Sequence, residues 1–157
     1  MKSETTLTLL FVFIFVASGS ACAGKQSSGQ SFRASADQFS FERDQRTISI
    51  HLDVAVSGWA VNCSRTRAIV WGQDNTVMEM GAPPVVKVYL IDIEHDKPIN
   101  HYTVTRGPYE ATFSQDQSQA IVDDYVVDQT SGDVIAMKED VKVVAEYCPS
   151  FSGQRSN

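Results

Sequence analysis

The sequence contains no cluster of lysine or arginine: 13 basic residues are scattered among 19 acidic ones, for a formal charge of −6. Nothing in it would neutralise a phosphate backbone, which argues against a nucleic-acid partner, and acidity of this size is chiefly a solubility feature. Catalytic motifs are missing as well. There is no Gly-x-Ser-x-Gly elbow, no His-Glu-x-x-His, no phosphate-binding glycine loop and no Cys-x-x-Cys, so the pattern points away from an enzyme and implies no cofactor. Histidine is scarce. His51 falls on the outer face of a strand pattern, and His95 and His101 flank a turn, which is no spacing for a zinc or copper site. No segment has a convincing helical period, and no apolar run is long enough to span a bilayer.

What is present begins with a targeting segment. Leu7 to Val16 is an apolar run of ten residues, preceded by Lys2 and followed by small residues, as in a secretory signal. Residues 1–23 are read as that signal, with two competing cleavage sites. Cleavage before Cys22 leaves a thiol to be lipidated, followed by a Ser/Gln/Gly tether; cleavage at Ala21-Cys22-Ala23 releases a chain beginning at Gly24. Either way the protein is exported: a periplasmic or outer-membrane lipoprotein in a bacterial host, secreted otherwise, touching a membrane only through a lipid on Cys22. Residues 24–36 read as a flexible linker, 37–149 as one β-domain and 150–157 as a disordered tail. Cys63 and Cys148 are the two cysteines of the mature body, and in an oxidising compartment each has one partner, the other. Two buried free thiols are the alternative, because the alternation of Val141, Val143, Ala145 and Tyr147 sets Cys148 on the opposite face.

Thr47 to Cys63 organises the rest. Ile48, Ile50, Leu52, Val54 and Val56 share one side of an extended backbone, and after Ser57-Gly58 the large apolar residues shift to Trp59 and Val61. A one-residue β-bulge at the glycine keeps both halves on one core. Val85 to Ile93 is apolar on both faces apart from Lys87 and Asp92, which predicts a central strand covered on two sides. Phe39 and Phe41 open the domain, with Arg43 to Arg46 turning into the organising strand. Ala120 to Asp128 and Val134 to Met137 make a hairpin, and Val141 to Tyr147 closes the fold.

Seven to nine short strands at this spacing predict an all-β fold, a single antiparallel β-sandwich of immunoglobulin-like or transthyretin-like type, with a closed barrel as the alternative. The order Trp59, Cys63, Cys148 does not fit the Cys…Trp…Cys arrangement of immunoglobulin domains, and such sandwiches host many unrelated functions.

Candidate sites are correspondingly few. The long connection Gly72 to Pro84 carries Val77, Met78 and Met80, adaptable apolar side chains suited to a partner contact, or else a short edge strand over the core. Asp92, Glu94 and Asp96 line up where a strand leaves the core, with Asp123-Asp124 as further oxygen donors, a set that calcium would take. Met78 and Met80 are the corresponding thioethers for copper. Asn62-Cys63-Ser64 has the form of a glycosylation acceptor. Together these features describe a non-enzymatic envelope or extracellular module that binds another protein through end loops. An exported inhibitor or immunity-type protein, or a calcium or copper carrier, are the other readings.

Overall fold

The computed structural model describes residues 31–76 and 85–146 and the backbone of 152–154. Its strands are β1 (Phe32–Ser35), β2 (Gln38–Arg43), β3 (Arg46–His51), β4 (Val54–Val61), β5 (Arg67–Asp74), β6 (Val86–Asp92), β7 (Lys97–Val104), β8 (Ala111–Phe113), β9 (Gln119–Val122), β10 (Tyr125–Asp128), β11 (Val134–Met137) and β12 (Ser152–Gln154). All pairings are antiparallel. They build an antiparallel β-sandwich with a central sheet, β12-β4-β5-β6-β7, flanked by β1-β2-β3 and by β11-β10-β9-β8.

The organising stretch is two strands rather than one. It breaks at Leu52-Asp53, where the chain passes from the three-stranded sheet into the central one. Ile50, Leu52, Val54 and Val56 nevertheless all enter one core, with Phe39 and Phe41 on one side and Val70, Tyr89 and Ile91 on the other. A single run of alternating apolar residues therefore lines both layers of that core. The bulge falls where the register requires it: Val56 pairs with Gly72 and Gly58 with Trp71, leaving Ser57 over, so that Trp59 and Val61 join the same cluster. Gly58 must be glycine there, since a Cβ would sit 2.3 Å from the Trp71 ring.

β6 is buried along nearly its whole length because the central sheet is covered twice. Val88 and Leu90 face a second core with Trp71, Phe113, Val122 and Val127, beneath the four-stranded sheet. This third layer is why Val85 to Ile93 reads as apolar on both faces. Asp44 and Gln45, both at positive φ, make the two-residue turn between β2 and β3.

Several boundaries differ from the sequence reading. The described residues form twelve strands where seven to nine are expected, in part because Ala120 to Asp128 is divided by a tight turn at Asp123-Asp124. Phe32–Ser35, assigned to the linker, forms β1; Phe32 and Ala34 pack on the first core, too short an alternation to stand out in a Ser/Gln/Gly context. Ser152–Gln154, assigned to the tail, pairs its backbone with Gly58 to Ala60, and the sequence Ser-Gly-Gln carries no apolar signal. Residues 141–146 are not a buried closing strand. They run beside β8 through one bridge, Ser114 to Ala145, with Val144 exposed.

Candidate functional site

At one end of the central sheet Lys87, one of the two polar exceptions of β6, finds its partners. Lys87, only 9% exposed, donates to Asp53 Oδ2 at 2.5 Å and lies 3.1 Å from Asp74 Oδ2. The Tyr89 hydroxyl donates to the other Asp53 oxygen, and its ring stacks on His101 at 5.2 Å. Asp74 also accepts from the Thr76 amide at 2.8 Å and the Thr76 hydroxyl at 2.6 Å. The hydrogen bond from Lys87 holds the Asp53 carboxyl below the usual carboxylate range, and Thr76 does the same for Asp74. Asp53 in turn raises Lys87, and burial, then Asp53, raises Tyr89. Every charge in the group is thus fixed across the neutral range, which suits a clamp and not proton transfer.

The clamp closes the stem of segment 77–84. The Asp74 amide donates to the Val85 carbonyl at 2.8 Å, and the Asn75 amide to the Asp53 carbonyl at 3.1 Å. Val77, Met78 and Met80 themselves lie outside the described residues, as does Cys22. Sequence reasoning missed the clamp because Asp53 counted as an outward strand residue. The available signal was Lys87, a cation in a strand covered on both sides, which requires a carboxylate.

At the opposite end, the three carboxylates predicted as a calcium set are each paired with an arginine, Asp92 and Glu94 sharing Arg67 and Asp96 taking Arg43. Asp92 accepts from Arg67 at 3.0 Å, from His95 Nδ1 at 2.9 Å and from the amides of Glu94 and His95. Burial pushes the Asp92 carboxyl up, but the His95 bonds and the Arg67 charge outweigh it and leave it lowered. Asp96 pairs with Arg43 at 2.5 Å, and Arg43 also caps the Ile93 and Glu94 carbonyls. Glu94 lies 3.7 Å from Arg67. Among the described residues no group of three or more His, Cys, Asp or Glu side chains is arranged to hold a metal. The strand exit is an arginine-stapled turn. Asp123 is likewise engaged, accepting from the amides of Tyr109 and Glu110.

Asn62 is fully buried, its amide donating to Ser64 and Thr66 and its carbonyl accepting from the amides of Thr66 and Arg67. It is the staple of the β4–β5 turn and has no free nitrogen for a glycan. Cys63 is disulfide-bonded, with its partner cysteine outside the described residues, and its amide donates to Glu146 Oε1 at 2.8 Å.

The exposed apolar surface gathers elsewhere. Five large apolar side chains are exposed among the described residues, and three stand on β11: Val134 at 41%, Ile135 at 51% and Met137 at 38%. β11 is the edge of its sheet, carries no charge over four residues, and contributes no side chain to either core. In the sequence it looks like the second arm of an ordinary hairpin; only the sheet order shows that both its faces are open. No known family model matches the chain, and a search of curated proteins finds no match.

Proposed function

We propose that this domain is an exported, non-enzymatic binding module that contacts another protein through the β11 edge of its four-stranded sheet. The observation that carries the reading is the uncharged run Val134-Ile135-Ala136-Met137, exposed on an edge strand that the cores do not use. Natural sheets blunt their edges with charge, proline or cover, and a bare apolar edge fits the addition of a partner strand. The ionisable clusters support a non-enzymatic reading, since Asp53, Asp74 and Lys87 are shifted away from neutrality and Asp92 is tied to Arg67 and His95.

Export rests on the Leu7 to Val16 signal, with Cys22 as the lipidation site in the anchored form. Pairing of Cys63 with Cys148 is supported by the chain on either side of Cys148: Glu146 bonds the Cys63 amide, and Ser152 pairs with Ala60 in β4, the strand that ends just before Cys63. The test of function is a photo-crosslinking residue placed at position 135 and, as a control, at position 49, on β3 of the opposite sheet. A discrete crosslinked species from position 135 alone supports the reading; equal or no crosslinking from both overturns it.

A further inference from the structure

The occupant of this edge follows from its chemistry, given that β11 is a contact surface. We infer that it is a second copy of the same chain, paired antiparallel through β11 about a two-fold axis. The hairpin fixes which backbone groups face outward. The Asp133 carbonyl accepts from the Asp128 amide, and the Lys138 amide donates to the Asp124 carbonyl, so both ends of β11 are bonded inward. Between them the register shifts at Val126/Val127, leaving Ile135 as the extra residue of a bulge. Backbone direction alternates along an antiparallel strand, so the residues next to each inward end, Val134 and Met137, turn their amides and carbonyls outward. These two lie equally far from the midpoint between Ile135 and Ala136. A two-fold axis through that midpoint sets Val134 of one copy against Met137 of the other, forming two hydrogen-bonded pairs.

The same register makes the side chains complementary. Ile135 falls opposite Ala136, large against small; Asp133, just before β11 and also accepting from Asn100 Nδ2, falls opposite Lys138, the first residue of the 3-10 turn that follows β11, so opposite charges meet at each end of the ribbon. A sequence that reads acid, four uncharged apolar residues, base is self-complementary when reversed, which is what an isologous contact requires. An unrelated strand would meet neither condition by default. Two four-stranded sheets would then join into one of eight.

Four residues a side make a small contact, so the dimer is expected to form reversibly and to depend on concentration. Sedimentation velocity on the mature protein over a wide concentration range should show the mass rising from one copy toward two. Ile135→Lys should hold the protein at one copy throughout, with an unchanged melting temperature. Asp133→Lys should weaken dimerisation at least tenfold, and adding Lys138→Asp in the same chain should restore it. A wild-type protein that stays at one copy at every concentration overturns the inference. So does a dimer that Ile135→Lys leaves intact, or a charge reversal that the second reversal fails to rescue. Loss of a different crosslinked protein by Ile135→Lys, with the wild type at one copy, would leave β11 as a contact surface and overturn only the second copy as its occupant.

Discussion

Lys87 shows how one residue shapes the energetics of this protein. It sits in a strand covered on both faces, and its charge is tolerated because Asp53 and Asp74 meet it. Lys87→Met would leave the two carboxylates facing each other without a cation. The expected loss is about 3 kcal/mol, the low end for a broken buried pair because Asp53 keeps contact with water. Thermal unfolding should show it as a fall of roughly 10 °C. The pH dependence has a definite sign. Asp53 and Asp74 bind protons more weakly in the folded chain, so their contribution is complete above the unfolded value near about 3.9 and is lost as pH falls through the lower folded values. Lys87 holds its proton more tightly when folded. Its contribution is complete below about 10.4 and is lost as pH rises through the higher folded value. Urea titrations from pH 2 to 11 should therefore find this contribution flat through neutrality and lost at both extremes. In Lys87→Met the alkaline loss should be much reduced.

At the scale of elements, β4 and β11 mark the limits of sequence reasoning. The bulge at Ser57-Gly58 was legible because a glycine coincides with a change of parity among large apolar residues, and no unbulged strand keeps both halves on one core. Gly58→Ala should cost more than the usual penalty of a surface substitution, about 2 kcal/mol, because the Trp71 ring must move; a melting temperature within a degree of wild type would contradict that packing. The double cover of β6 was legible for a similar reason. The break at Leu52-Asp53 was not, since a strand that changes sheet while keeping one core face shows no interruption in its alternation. β11 was illegible as a site for the opposite reason: its composition is that of a core strand, and only its place at the end of the sheet makes it a surface. β12 has no apolar side chain at all and is recruited by backbone pairing to β4.

For the whole molecule, the disulfide of Cys63 bears on stability, and the β11 edge is the proposed surface of association. A Cys63–Cys148 bridge closes a loop of about 85 residues, for which chain entropy gives roughly 4 to 5 kcal/mol as an upper estimate. Non-reducing peptide mapping should recover that pair from the mature chain. Two alkylatable thiols in folded protein would contradict it. If lipidated, the same molecule should leave the membrane fraction on Cys22→Ser; unchanged fractionation with a mature N-terminus at Gly24 would rule the anchor out. The proposed contact edge is tested most directly by amide hydrogen exchange at Val134 and Met137, compared between dilute and concentrated protein. Both amides face away from β10, so they should exchange nearly unprotected when dilute and slow together as concentration rises, while the inward Lys138 amide stays slow throughout. Protection of Val134 and Met137 that is already complete in dilute protein, or absent at every concentration, would contradict β11 as the surface through which this chain meets its partner.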